Sequence, residues 1–216
     1  MRRHGATARR REEVGVTGQS TKDTSAKVEA ALRRFDDANR RDPRSVEFKG
    51  GTFPREYLHA QKLHEWVLKL APGASVALRL ASRSNAICRW EIPRESYPKT
   101  TAGYHAWRKK LQKFHTERAV EILKDEDFGD DEIARVTDLI LMKHFPKDLD
   151  AQILEDADCL TFLETKFHDY IPQWDESKTI RILKGTLNKM TPAAKSLASQ
   201  IPLNAAAREL IRKAIA

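Results

Sequence analysis

The chain has 216 residues and a mass of 24.7 kDa; 40% of its residues are hydrophobic and its formal net charge is +8. This length is enough for one well-buried core with extensions, and a content of only 9 glycines and 9 prolines favours a mostly helical domain. No stretch approaches the roughly 18 consecutive apolar residues that span a membrane, and the N-terminus lacks the apolar core of a secretory signal. We therefore expect a soluble, cytoplasmic protein with no membrane partner.

The first segment of the chain carries most of the excess positive charge. Residues 1–45 contain 12 lysines and arginines against 7 acidic residues. Within them, residues 1–26 are polar and arginine-rich, and we expect this basic arm to be disordered when alone. The arm is a solvated tail, a segment that binds RNA, or an organelle presequence, in which case the protein is mitochondrial. Glu12 and Glu13 count against a presequence.

Beyond the arm, residues 27–216 form one domain in which apolar residues recur at helical spacing. Proline, glycine and capping residues divide it into about seven to eight helices. In chain order, the predicted helical segments are 28–39, 54–70, 75–90, 101–123, 130–145, 150–171, 176–190 and 203–216. The fold class is therefore all-α. No β-rich run, internal repeat or glycine-rich phosphate loop is visible, which excludes P-loop and Rossmann proteins.

The two cysteines, Cys88 and Cys159, lie in apolar helical contexts and do not form a CxxC motif. We expect buried thiols rather than a disulfide or a zinc site.

Residues 79–107 combine arginine, tryptophan, tyrosine and proline at the end of an apolar helical run. The planar guanidinium group suits phosphate, so this segment predicts a helical cleft that binds a phosphorylated ligand. The candidate ligand-binding residues are Arg79, Arg83, Arg89, Trp90, Arg94, Tyr104 and Arg108. The alternative is that Arg83, Arg89 and Arg94 bond Glu91, Glu95 or exposed carbonyl groups and brace an irregular loop.

A set of strings in this order and spacing resembles a known family. They are RFDDANRRDP, LRLASR, RWEIPRESYP, GYHAW, KFHTE, LEDADCLTFLE and NKMTP. Together they resemble the family called domain of unknown function 4202, over about residues 28 to 216. This resemblance implies little about activity.

A more distant resemblance is to the histidine-aspartate (HD) phosphohydrolases. Those helical enzymes hold a metal with a histidine on one helix, a His-Asp pair at the end of another, and a late aspartate in a string like ADxL. The resemblance implies an HD-like fold here, in which Ala157-Asp158-Cys159-Leu160 takes the place of the late aspartate string. It implies the candidate metal ligands His59, His115, His144, Asp156 and Asp158. The candidate catalytic residues are His115 and Asp156, which match the pattern of the first family.

Two features of the sequence count against a metal centre. Asn85-Ala86 stands where the family has Gln-His, and alanine offers no ligand atom. Asp156 and Asp158 lie about 200° apart around a helix, so both cannot face one cleft. We therefore expect no cofactor, or a weakly bound divalent metal.

Three functions follow as expectations. The first is a degenerate HD-like domain that binds a nucleotide or RNA through an arginine-lined cleft without catalysis. The second is a metal-dependent phosphohydrolase on a nucleotide-like substrate, and the third is a structural subunit of a ribonucleoprotein or other large assembly. Ala86 weighs against the second, and the basic arm favours the first and the third.

Overall fold

The computed structural model describes residues 13–215, with side chains described from Thr24 onward. Within these residues the chain forms ten α-helices: α1 (Glu13–Asn39), α2 (Arg55–Leu70), α3 (Val76–Ser84), α4 (Thr101–Asp125), α5 (Asp130–Ile140), α6 (Leu149–Thr165), α7 (Phe167–Tyr170), α8 (Glu176–Lys189), α9 (Pro192–Ala198) and α10 (Ala205–Ile215). The predicted all-α class is confirmed, and the predicted segments each contain a helix. Of the predicted arm, residues 1–12 lie outside the described residues, and the part from Glu13 is the start of α1.

A short antiparallel hairpin joins α1 to α2 and was not predicted. Its strands are β1 (Ser45–Phe48) and β2 (Gly51–Pro54), which pair from Ser45 with Pro54 to Phe48 with Gly51. The turn between them contains Lys49 and Gly50, which have positive φ angles of 48° and 81°. Strands of four residues are too short to give a clear period-two pattern in the sequence.

The core is formed where α2 packs between α3 and α6, with α1 and α5 packed on α3, and α4 packed on α5 and α1. Leucines and a phenylalanine from these helices are fully buried, including Phe35, Leu63, Leu80, Leu123 and Leu160. The C-terminal helix α10 packs on α8, and α9 packs on α6. Among the described helices, none is long and apolar enough to cross a bilayer.

Three predicted helices end well before the sequence pattern indicated, and all three ends matter for the candidate site. The third ends at Ser84 because the chain turns at Cys88, which has a left-handed φ of 53°. The fifth ends at Ile140, and Met142 and His144 then adopt left-handed conformations. The sixth ends at Thr165, and Lys166 separates α6 from α7. Cys88 and Cys159 are buried free thiols, as predicted.

The start of α6 also differs from the predicted one. Asp148, not Asp150, caps the helix by accepting a hydrogen bond from the Ala151 amide at 3.0 Å. Asp148 also binds Arg135 through both carboxylate oxygens, at 2.6 and 2.9 Å. The Arg135 guanidinium lowers the pKa of Asp148 to about 2, so this cap is charged throughout the physiological range.

Candidate functional site

A cleft of about 280 Å³ lies where α2, α4, α6 and α8 meet the end of α3. Its charged and polar lining residues are His59, Asn85, Arg89, Arg108, Gln112, His115, Glu155, Asp158, Lys166, Tyr170, Thr186 and Lys189. Ala86 and Phe162 are among its apolar ones. The polar lining carries four cationic side chains and two carboxylates, so the cleft is net positive.

His115 lies on α4 and is 3% exposed. Its Nδ1 lies 2.7 Å from the carbonyl oxygen of Ile87, a distance at which the proton must be on Nδ1. The Nε2 lone pair is buried and has no hydrogen-bond partner among the described residues. Burial lowers the pKa of His115 to about 4, with the charges of Arg89 and Arg108 acting in the same direction. At neutral pH, His115 is therefore a neutral imidazole with a free acceptor.

His59, on α2, lies between a cation and a carboxylate. The Lys166 ammonium is 3.2 Å from Nδ1 of His59, so it donates to that nitrogen and leaves the ring proton on Nε2. Nε2 is 3.5 Å from a carboxylate oxygen of Asp158, longer than a good hydrogen bond. Burial and the charge of Lys166 hold the pKa of His59 well below its ordinary value. This group is thus also neutral at physiological pH.

The cleft contains three cations without an ion-pair partner in the described part of the chain, namely Arg89, Arg108 and Lys166. Among the described residues, no carboxylate lies within ion-pair distance of these three side chains, and Glu56 and Asp158 act on Arg89 and Lys166 only over longer distances, in the direction that raises the pKa of both cations. Arg89 instead stacks on the Trp107 ring, with 4.8 Å from its guanidinium carbon to the ring centroid. Burial lowers the pKa of the Arg89 guanidinium and of the Lys166 ammonium. The remaining cation, Lys189, pairs with Glu155 at 2.9 Å.

The backbone that precedes Arg89 is held from α1. The amide of Cys88 donates to the side-chain oxygen of Asn39, the last residue of that helix, at 3.0 Å. Asn39 is 1% exposed. A left-handed conformation is unfavourable for a residue with a side chain, so this hydrogen bond and the surrounding packing maintain it.

Of the predicted ligand-binding residues, Arg89 and Arg108 line the cleft and the others do not. Arg79 binds Glu29 at 3.2 Å, and Arg83 binds Asp36 at 3.1 Å, both on α1. Arg94 donates to the carbonyl oxygens of Tyr97 and Pro98, at 2.8 Å each. Arg94 therefore braces the irregular loop, as the alternative described above has it. Arg79 and Arg83 are structural too, but their partners are carboxylates of α1 rather than Glu91, Glu95 or loop carbonyl groups.

The two aromatic candidates also lie outside the cleft. Trp90 lines a separate cavity beside Cys88 and Arg118. Tyr104 is 46% exposed and packs against Trp107, with 5.9 Å between the ring centroids. It belongs to the signature glycine-tyrosine pair, in which Gly103 is required because a Cβ there would collide with the carbonyl oxygen of Pro98.

The candidate metal ligands separate into two groups. His59, His115 and Asp158 line the cleft beside Ala86, whereas Asp156 and His144 do not. Asp156 is 2% exposed and accepts hydrogen bonds from both the amide and the hydroxyl of Thr191, at the start of α9. His144 is exposed in the turn after α5. Within the described part of the chain, no three histidine, cysteine, aspartate or glutamate side chains are grouped so as to hold a metal ion.

Sequence reasoning missed Lys166, the cation nearest to His59. It lies between α6 and α7, in the apolar run LTFLETKFHDY, where a lysine on the buried side of two helices is itself a signal. Gln112 and Tyr170, which also line the cleft, gave no signal in the sequence. His64, outside the cleft, is also buried and bonds the Ser82 hydroxyl at 2.8 Å.

Comparison with known proteins adds the family but no activity. No curated protein and no solved structure matches the chain. One family model does match, over residues 29–211, which span α1 to α10 and include every residue of the cleft. The chain therefore belongs to the family described as domain of unknown function (DUF4202).

Proposed function

We propose that this protein is a degenerate, HD-like helical domain that binds a phosphorylated ligand in the cleft without catalysing its hydrolysis. The observation that carries the proposal is the convergence of Arg89, Arg108 and Lys166 in a cleft where no carboxylate pairs with them. Arg89 and Lys166 are partly buried, whereas Arg108 is exposed at the mouth of the cleft. A cation that is partly removed from water is normally paired, because the loss of hydration is unfavourable unless an opposite charge compensates it. A phosphate group would supply that charge and accept several hydrogen bonds.

The size of the cleft favours a small ligand. A volume of about 280 Å³ is at the lower end of the range for small-molecule sites, about 300–1,000 Å³. A nucleoside monophosphate or a sugar phosphate is of this order, whereas an RNA chain would have to present a single terminal phosphate. Binding of RNA along the basic arm stays a separate prediction, because residues 1–12 lie outside the described residues.

The side chains around the end of α3 disfavour catalysis. Ala86 lines the cleft and offers neither a metal ligand nor a proton, and Asp156 is bonded to Thr191 outside it. The cations at Arg89 and Lys166 would also repel a metal ion placed between His59 and His115.

One observation favours the second candidate, a metal-dependent phosphohydrolase. A histidine that donates from Nδ1 to a backbone carbonyl and keeps Nε2 free is arranged as metal-binding histidines are. A metal held there would lower the pKa of a bound water molecule.

Calorimetric titration with ribose 5-phosphate and with AMP tests the binding proposal. We expect Arg89→Gln and Lys166→Gln to weaken binding at least about tenfold each, because a hydrogen bond to a charged group contributes about 1.5–3 kcal/mol. Arg118→Gln is the matched control, since it removes the same charge from α4 outside the cleft. Affinities that do not differ between wild type, Arg89→Gln and Lys166→Gln would refute the proposal.

An assay of phosphate release from AMP, with Mn²⁺ or Ni²⁺ added, distinguishes the two candidates. We expect no release from the wild-type protein. Release that disappears in His115→Ala would establish the phosphohydrolase instead. Ala86→His supplies the missing nitrogen without changing the arginines, so activity gained by that variant would support descent from a metal enzyme.

A further inference from the structure

The unpartnered nitrogen of His115 restricts which phosphorylated ligand the cleft accepts. His115 is 3% exposed, lines the cleft, and has its Nδ1 proton bound to the Ile87 carbonyl. Nε2 is then a hydrogen-bond acceptor shielded from water, with no donor among the described residues. An unsatisfied buried acceptor is unfavourable, so the ligand that fits best brings a donor to it.

The charges around the cleft decide the kind of donor. Arg89 and Arg108 are close enough to His115 for their charges to lower its pKa. A protonated amine on the ligand would be repelled by the same two charges. A neutral hydroxyl group can donate to Nε2 while a phosphate on the same molecule contacts the cations.

The aromatic side chains of the region offer little to a nucleobase. Tyr170 lines the cleft, but one face of its ring stacks on Trp174 with 4.2 Å between centroids and an angle of 8°. Its other neighbour is Phe162, at 6.2 Å and 29°. The Trp107 ring is covered by Arg89. Base stacking needs an open ring face, and these rings are already in contact with other side chains.

We infer that the ligand is a sugar or polyol phosphate, whose hydroxyl group donates a hydrogen bond to Nε2 of His115 while its phosphate is bound by Arg89, Arg108 and Lys166. This inference rests on the proposed function, because it assumes that the cations bind a phosphate. It assigns His115 a role in selecting the ligand, as a neutral hydrogen-bond acceptor.

Glycerol 3-phosphate and propyl phosphate provide a direct test, since they share the phosphate and differ in their hydroxyl groups. Calorimetric titration of the full chain should give about three- to tenfold tighter binding of glycerol 3-phosphate, the value of one net hydrogen bond. In His115→Phe, the ratio of the two affinities should fall to about one. Because that variant also loses the bond to Ile87, the ¹⁵N resonance of Nε2 in the wild-type protein provides a second measurement. It should move with glycerol 3-phosphate and stay in place with propyl phosphate.

The outcomes separate this inference from the proposed function. If both probes bind the wild-type protein equally, the inference is overturned while the phosphate site stands. If the preference persists in His115→Phe, or if the Nε2 resonance does not respond, the hydroxyl group is recognised elsewhere and the inference is again overturned. If neither probe nor inorganic phosphate binds, the proposed function itself fails.

Discussion

Cationic side chains occur both on the face of α3 that meets α1 and in the cleft at the end of α3, but their surroundings differ. On the face that meets α1, Arg79 and Arg83 each pair with a carboxylate from α1. In the cleft, Arg89 and Lys166 meet none among the described residues. The comparison shows that an arginine-rich segment does not by itself indicate a binding site. What matters is whether a neighbouring helix supplies the opposite charge.

The largest effect is expected on the paired side. Asp36 is 8% exposed and holds both Arg83 and the side-chain amide of Gln61, at 3.1 and 2.8 Å. Asp36→Ala leaves Arg83 buried without a partner, so the free energy of unfolding should fall by about 3–5 kcal/mol. Urea denaturation measures this change.

Two further variants make that test more specific. Asp37→Ala, at an exposed position that pairs only with the exposed Arg40 in the described structure, should change the free energy of unfolding by less than about 1 kcal/mol. Burial raises the pKa of Asp36 and lowers that of Arg83, so the pair itself contributes little net stability. The double variant Asp36→Leu/Arg83→Met should therefore recover most of the loss, and a double variant as unstable as Asp36→Ala would contradict this reasoning.

Two aspartates of α6, Asp156 and Asp158, extend the comparison to carboxylates. Asp156 holds the start of α9, so Asp156→Ala should lower the free energy of unfolding by about 2 kcal/mol, the value of hydrogen bonds to a charged acceptor. Asp158 is half exposed in the cleft, and Asp158→Ala should leave stability within about 1 kcal/mol. Equal losses of stability in the two variants would show that the cleft aspartate is structural too.

His64, near Arg79 and Arg83, and His115, in the cleft, are both buried, and both should make the free energy of unfolding depend on pH. Burial lowers the pKa of His64 and of His115 to about 4, whereas the unfolded chain binds these protons near pH 6.5. Between pH 6.5 and 4 the unfolded state therefore holds more protons, and the free energy of unfolding decreases as the pH falls. Each histidine contributes up to about 1.4 kcal/mol per pH unit. His59, whose pKa is lowered too, acts in the same direction.

Denaturation at pH 6.5 and pH 5.5 measures this slope before most carboxylates titrate. His64→Gln should remove the share of one histidine. A slope that is unchanged in His64→Gln, or a protein that becomes more stable as the pH falls across this interval, would contradict the assignment of neutral buried imidazoles.

The smallest effect on stability is expected from the unpaired cation. Arg89→Gln loses the stacking of the guanidinium on Trp107, but it also removes a desolvated charge that has no carboxylate partner in the described part of the chain. These effects oppose each other, so the free energy of unfolding should change by less than about 1 kcal/mol. A loss as large as that of Asp36→Ala would mean that Arg89 is part of the structural framework, and the contrast between the two regions would disappear.

Much of the fold could be predicted from the sequence, because its elements depend on local patterns. The spacing of apolar residues located the long helices. The predicted segment 75–90 begins at Ser75, which caps α3 by accepting a hydrogen bond from the Leu78 amide. The end after Ser84 was missed because the left-handed Cys88 is held by Asn39, far away in the chain. The end after Ile140 was missed because no glycine marks the left-handed positions Met142 and His144. The β1–β2 hairpin was missed because its strands are short.

The site was predicted only in outline, because its geometry depends on how the helices are rotated against each other. Helical spacing required that Asp156 and Asp158 point in different directions, and they do. Which of them faces His59 depends on the packing of α6 on α2, which no local pattern specifies. For the same reason, the sequence showed which arginines could bind phosphate, but it did not show which of them would pair with carboxylates of α1. In the structure these are Arg79 and Arg83.

The hydrogen bond from Cys88 to Asn39 makes the geometry of the cleft depend on α1, although no residue of α1 lines the cleft. A fragment that begins after α1 would lose the acceptor that holds the left-handed turn, and Arg89 follows that turn directly along the backbone. The smallest fragment of the chain that could be transferred to another protein with its cleft intact therefore includes α1. The family match agrees with this boundary, since it begins at residue 29 and so takes in Asn39.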